Sequence, residues 1–221
     1  MMCRLRIFLW RLLGIDYHQI LRVQDNVFLK KDKFSELGEG TYDNGALVFR
    51  WTQAPLRIGK YCSIANNVRF IVDEGYHTAS GITSFPIVNT LFKEEKTLPD
   101  GVDKNEFLSA VNQREGITIG HDVWIGMGVH IMPGVTLGNG ITIAANSVVT
   151  GSTEIPDYSI IAGTPAKVIA MKHDKDVINK LNDIAWWDWD KKTIKSRVKD
   201  FYSSGQTKEE SIEQFIKKYG K

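Results

Sequence analysis

An aliphatic residue returns at every sixth position from Ile119 to Ile161. The chain there reads IGHDVW-IGMGVH-IMPGVT-LGNGIT-IAANSV-VTGSTE-IPDYSI-IAGTPA, and a small residue usually follows the aliphatic one. Neither a helix, with its 3.6-residue period, nor a lone strand, with its two-residue period, counts in sixes. A six-residue repeat marks a parallel β-helix, in which three short strands make one triangular coil. The aliphatic residue of each block points inward and stacks on its equivalent in the next coil. The small residue beside it lets the chain turn. Each coil buries its face only by stacking, so stability is nearest-neighbour and the ends need covering.

The same register starts earlier, at IGKYCS-IANNVR-FIVDEG from Ile58, with a looser copy, LGEGTY, from Leu37. It breaks over residues 76–116, an excursion with little helix or strand pattern. Long segments of that kind inside a compact domain are often functional. After Met171 the period becomes helical: Val177, Ile178, Leu181, Ile184 and Ala185 share one face. Asp190 caps a second helix, and Thr207-Lys-Glu-Glu is a capping box for a third. The expected organisation is an amphipathic helix over 1–20, a β-helix over 34–170 with the 76–116 excursion, and a helical cap over 171–221. The cap is expected on one end of the solenoid.

Composition narrows the function. The chain has 221 residues, 43% hydrophobic and 24% charged, with a net charge of only +2. That balance suits a soluble domain and lacks the basic stripe of a nucleic-acid surface. Cys3 and Cys62 do not make a disulfide framework. No run is long enough to span a bilayer. At the N-terminus, Arg4, Arg6 and Arg11 interrupt seven apolar residues with no acid among them, which is not a secretory signal. Two readings stand: a helix packed on the domain or a partner subunit, or residues 1–14 lying on an anionic membrane surface. The expected location is cytoplasmic, at the inner face of the membrane under the second reading.

Four features together resemble one family: IGKYCSIA; the histidine loop YHTASGITSFPI; IGHDVWIGMGVHIMPGV followed by IAANSVV; and AGTPAKVI with DKDVINKLNDIAWWDW. They resemble the hexapeptide-repeat acyltransferases, and within them the xenobiotic acetyltransferase branch of streptogramin and type B chloramphenicol enzymes. The resemblance implies a left-handed β-helix, a homotrimer, acetyl-CoA as co-substrate and direct transfer in a ternary complex. His77 matches the family's catalytic histidine, where the excursion leaves the coil. The chemistry needs such a group, since an acceptor hydroxyl or amine must lose a proton to attack a thioester, and neutral imidazole accepts one near neutral pH. A carbonyl or carboxylate is expected to orient its other nitrogen, with Asp73 and Glu74 near in sequence.

Acetyl-CoA is implied along a groove between subunits, where Gly126, Ala144, Ala145, Ala162 and Gly163 permit close approach. Trp124 either walls the thioester or packs the coil edge. Thr164 and Lys167 lie toward the nucleotide, with Lys167 meeting a phosphate as a point charge. Gly151 stands where several relatives carry lysine. Tyr42, Trp51 and Phe85 are the acceptor candidates, each equally readable as packing. His121 and His130 lack metal-ligand spacing with His77, and no metal is expected. Cys62 reads as a buried inert thiol, and Trp186 to Trp189 as packing for the cap.

The resemblance implies an acetyl-CoA-dependent O-acetyltransferase. The basic apolar N-terminus, and an excursion and N-terminal coil that diverge from the antibiotic-modifying pattern, point its expected acceptor to a sugar hydroxyl of a bacterial surface polysaccharide or its precursor. The alternatives are an antibiotic O-acetyltransferase, an N-acetyltransferase of a nucleotide-linked amino sugar, and a non-catalytic scaffold.

Overall fold

The computed structural model describes residues 26–77, 80–111, 116–151, 154–202 and 207–220. The segment expected to form an N-terminal helix lies outside them. The hexads form a left-handed parallel β-helix with three sheets. Sheet A carries β1 (Asn26–Phe28), β4 (Leu47–Phe49), β7 (Arg69–Ile71), β10 (His130–Ile131) and β13 (Val148–Val149). Sheet B carries β2 (Ser35–Leu37), β5 (Leu56–Ile58), β8 (Ile117–Ile119) and β11 (Thr136–Leu137). Sheet C carries β3 (Tyr42–Asp43), β6 (Ser63–Ile64), β9 (Trp124–Ile125), β12 (Thr142–Ile143), β14 (Ser159–Gly163) and β15 (Ala166–Met171). β1 and β15 run antiparallel to their neighbours and finish the two ends.

The register stacks like on like. In sheet C, Ile64, Ile125, Ile143 and Ile161 lie in one column; in sheet A, Val48, Phe70, Ile131 and Val149 do. All are buried, so the aliphatic residue of each hexad supplies the continuous core that a single coil lacks. Asp43 tops the sheet C column, and its Oδ1 accepts from the Gly45 and Ala46 amides at 2.9 and 3.0 Å, which satisfies a buried carboxylate at the open end.

The prism has three edges, and each carries different cargo. At the B–C edge, Gly40, Tyr61, Asp122, Gly140 and Tyr158 stack with φ between 55° and 76°. These left-handed positions turn the chain between sheets.

The helical cap docks along this B–C edge rather than over the end of the solenoid. Its helices are α3 (Lys175–Ile184), α4 (Lys191–Ser196) and α5 (Lys208–Tyr219). Tyr61 meets Trp186 with ring centroids 5.0 Å apart, and His121 stacks on Trp187 at 5.4 Å. Asn182 Nδ2 donates to Asp157 Oδ2 at 2.8 Å. Those partners span successive coils, so the cap is a strap across them. Asp174, Asp190 and Thr207 cap the three helices, the last with a full capping box.

The excursion departs from expectation, because it contains two helices, α1 (Ile87–Leu91) and α2 (Lys104–Val111). Asp103 starts α2, its Oδ1 accepting from the Asn105 and Glu106 amides at 2.9 and 3.0 Å. The pattern is short, and its apolar residues Phe107, Leu108 and Val111 face the excursion itself.

Candidate active site

The solenoid ladder reaches Val72, whose amide donates to the Phe49 carbonyl at 3.0 Å, and resumes at Gly116, whose amide donates to the Val72 carbonyl at 2.8 Å. The excursion therefore leaves and returns at one point on the A–B edge. Its first turn carries His77, whose amide donates to the Glu74 carbonyl at 3.2 Å.

The His77 imidazole is exposed, and its Nδ1 lies 2.9 Å from the Ser84 carbonyl oxygen. A carbonyl oxygen only accepts, so Nδ1 carries a proton, and in the neutral ring Nε2 is then the nitrogen with the lone pair. The contact orients the ring through Nδ1. The orienting group is this main-chain carbonyl rather than Asp73, which binds other partners. Sequence held no signal for Ser84, because any residue there supplies the same oxygen.

The excursion folds around an apolar cavity of about 250 Å³, reached from His77 through its neighbour Tyr76 and through Thr83 and Phe85, which flank Ser84. Phe85, Ile87, Phe107, Leu108 and Val111 line it, with Tyr76 and Thr83. Phe85, expected as an acceptor residue, is among its walls; Phe107 and Leu108, which carried no signal of their own in the sequence, come to it from α2. Trp51 stands on the turn before His77: a Cβ on Gly75 would lie 3.0–3.3 Å from its indole. Trp51 itself is 67% exposed.

Tyr42 lies elsewhere. It shares the outer row of sheet C with Ser63, Trp124 and Thr142, and both aromatic rings are exposed. The small residues gather at the adjoining C–A edge. The Gly126 amide donates to Ile143 and the Ala144 amide to Ile161, both at 2.9 Å, which stacks Gly126, Ala144 and Ala162 in one column. Ala145 and Gly163 sit beside it, exposed. Thr164 and Lys167 continue from its lower end, with Lys167 paired to Ala162 across the β14–β15 hairpin. A Cβ on Gly126 would lie 2.7 Å from the Ala145 amide nitrogen, so coil stacking alone already demands that glycine. The chain therefore carries two separate groups: His77, Trp51 and Phe85 at the A–B edge, and Trp124 with the small-residue strip at sheet C and the C–A edge.

The remaining candidates are structural. His121 Nδ1 accepts from the Lys60 amide at 2.9 Å, and burial lowers its proton affinity. Cys62 is fully buried with its thiol donating to the Gly120 carbonyl, and burial pushes its pKa up. His130 Nε2 lies 3.4 Å from the Arg69 guanidinium. Among the described residues, no three His, Cys, Asp or Glu side chains converge as a metal site, and no helix is long and apolar enough to cross a membrane.

A family model described as bacterial transferase hexapeptide (six repeats) matches residues 116–151. A probable macrolide acetyltransferase of Lysinibacillus sphaericus is 36% identical over 183 residues, covering 83% of this chain and 94% of that one. The chain belongs to the hexapeptide-repeat acetyltransferases. Its relatives place the enzyme with the xenobiotic branch: a chloramphenicol acetyltransferase of Escherichia coli is 37% identical over 153 residues, covering 68% of this chain and 67% of that one. A solved galactoside acetyltransferase in complex with coenzyme A is 29% identical with a TM-score of 0.44, covering 65% of the enzyme and 58% of that chain.

Proposed function

We propose that the enzyme transfers acetyl from acetyl-CoA to a hydroxyl of an acceptor with an apolar body, with His77 as general base. The observation that carries this is the Nδ1 hydrogen bond to Ser84, which leaves Nε2 of the neutral ring as the acceptor, on a turn whose neighbours Tyr76 and Phe85 line an apolar cavity. Nε2 takes the acceptor's hydroxyl proton as the oxygen attacks the thioester carbonyl. The tetrahedral intermediate then collapses, the carbon–sulfur bond breaks, and the imidazolium returns the proton to the CoA sulfur. The products are an acetyl ester and free CoA thiol.

Acetyl-CoA suits the C–A edge, where Ala145, Gly163 and the flanking Trp124 and Lys167 offer a flat strip with one cation at its end. Because that strip and His77 occupy different edges of one prism, a neighbouring copy in a homotrimer supplies the second half of each site. The acceptor preference moves from sugar to antibiotic on two grounds. The cavity that Tyr76 and Phe85 help to line is walled chiefly by aliphatic and aromatic side chains, and relatives matched over 94% and 67% of their own length are described as a probable macrolide and a chloramphenicol acetyltransferase.

The test is CoA-thiol release from acetyl-CoA against chloramphenicol, streptogramin A, a macrolide, nucleotide-linked amino sugars and surface-glycan oligosaccharides. Turnover with an antibiotic that falls roughly 10²–10⁴-fold in His77→Ala supports the proposal. Turnover confined to glycans would overturn the acceptor, and a fully active His77→Ala would overturn the mechanism.

A further inference from the structure

Asp73 is 1% exposed. A carboxylate held that far from water must be satisfied by donors, and among the described residues its partners are neutral groups of two loops. Oδ2 accepts from the Trp51 amide at 2.8 Å, the Thr52 amide at 3.0 Å and the Thr52 hydroxyl at 3.1 Å. Oδ1 accepts from the Gly75 amide at 3.2 Å. One oxygen therefore holds the corner between β4 and β5, and the other holds the first turn of the excursion.

That turn lies beyond the solenoid's own ladder, whose last bonds before the excursion are made by Val72. The contacts that tie the stretch from Val72 to His77 to the coil include the Asp73–Gly75 bond and the Trp51 indole packed on Gly75, which has φ +58°, and the His77 amide closes the turn on the Glu74 carbonyl. Asp73 does not touch the imidazole's bonded nitrogen, since Nδ1 belongs to Ser84. It acts through geometry.

We infer that Asp73 is a positioning residue for acetyl transfer: its carboxylate fixes the turn that presents His77 and seats Trp51 beside it. The inference rests on the reading of His77 as base. It requires a carboxylate in particular. Three donors converge on Oδ2, and an amide would either set N–H groups against them or, flipped, set them against the Gly75 amide. A displacement of about 1 Å at a reacting group costs on the order of 10²-fold in rate.

The variants are Asp73→Asn, Gly75→Ala, His77→Ala and the double Asp73→Asn/His77→Ala. Gly75→Ala perturbs the same turn by pushing on Trp51 and straining the backbone at φ +58°, but leaves the Asp73 carboxylate and its bonds to Trp51 and Thr52 in place, and so guards against a folding defect in Asp73→Asn. Two readouts are used. The first is the imidazole nitrogen NMR spectrum with histidine neutral, which needs no acceptor; His77→Ala assigns the signal. The second is CoA release with chloramphenicol as the probe acceptor. Wild type should hold the Nδ1–H form at His77, and both turn variants should move it toward the Nε2–H form that free imidazole side chains prefer. CoA release should fall about 10²-fold in each, with KM for acetyl-CoA within about twofold, and Asp73→Asn should add nothing in the His77→Ala background. The inference is overturned if both turn variants keep the wild-type tautomer, or if Asp73→Asn lowers the residual rate of His77→Ala by its own full factor. Should His77→Ala leave CoA release unchanged, the base reading fails instead, and the tautomer still decides whether Asp73 holds the turn.

Discussion

Gly120→Ala isolates how closely the coils approach. A Cβ at Gly120 would lie 2.6 Å from the carbonyl carbon and oxygen of Gly138 in the next coil, and 2.6 Å from Asn139 Oδ1. Carbon atoms in contact settle at about 3.5–4.0 Å, so the coils must part locally by about 1 Å. The Gly120 amide donates to the Leu137 carbonyl at 2.9 Å, and such parting stretches that bond past the hydrogen-bonding range. The Asn139 side chain, which accepts from the His121 amide at 2.9 Å, must also move. Overpacking against backbone costs about 1–3 kcal/mol and the lost hydrogen bond about 1 kcal/mol. The sum, about 2–4 kcal/mol, lowers the melting midpoint of a chain this size by roughly 5–15 °C. Gly81→Ala is the control, since nothing lies within 4 Å of its Cβ position. The assay is thermal unfolding followed by circular dichroism. A Gly120→Ala midpoint within a degree of Gly81→Ala would refute the claim that coil contact, rather than turn flexibility, selects this glycine.

Two further outcomes are expected. Burial pushes the Asp122 carboxyl up to about 6, partly opposed by the Lys172 charge and by hydrogen bonding to Trp186. A carboxyl whose folded value lies above its ordinary 3.8 stabilises the fold fully below that value, and loses the contribution as pH rises through about 6. Asp122→Asn, which also tolerates the left-handed backbone at φ 55°, should therefore gain on wild type between pH 4 and 7 by about 1–3 kcal/mol. Urea unfolding at each pH checks it, and parallel curves for the two proteins would sink it. Phe85→Ala removes one wall of the excursion cavity. It should raise KM for an apolar acceptor roughly tenfold, the worth of about 1.5 kcal/mol of apolar contact, while KM for acetyl-CoA holds; steady-state kinetics with both substrates varied decide it, and equal changes in both constants would count against the cavity as the acceptor site.

The coils were legible because every hexad repeats one instruction: Ile125, Ile143 and Ile161 occupy the same column, so periodicity alone reports their burial. The cap was legible only in part. Helical spacing identifies the buried face of Leu181 and Ile184 but not what covers it, and the partners turned out to be edge residues such as Tyr61 and His121. In the site, His77 stood out because imidazole is rare and the register breaks beside it. Asp73 did not, because a buried aspartate spells the same as a surface one, and its role depends on amides of Trp51 and Thr52 brought in from the preceding coil. The split between the His77 edge and the Trp124 edge was hidden for a related reason. Hexad position assigns each residue to a sheet, while the edge from which the excursion departs is a fact of three dimensions.

That departure point explains how the fold accommodates its chemistry. The parallel ladder continues across the insertion, with β7 paired to β10 and β5 to β8 as though residues 73–115 were a single corner. The bond from the Gly116 amide to the Val72 carbonyl closes the excursion at its neck. Closure entropy grows only slowly with loop length, each doubling adding about 0.6 kcal/mol, so the solenoid carries a long insertion at little cost. Under the proposed function, stability and acceptor choice are written in different residues. Changes at the Gly120 contact act on every coil pair that depends on it, whereas changes along Phe85, Phe107 and Leu108 reshape the cavity with the coils intact. Among the described residues the first turn joins the two under that proposal: Asp73 is rooted in the coil, and the turn it holds carries His77, the proposed base.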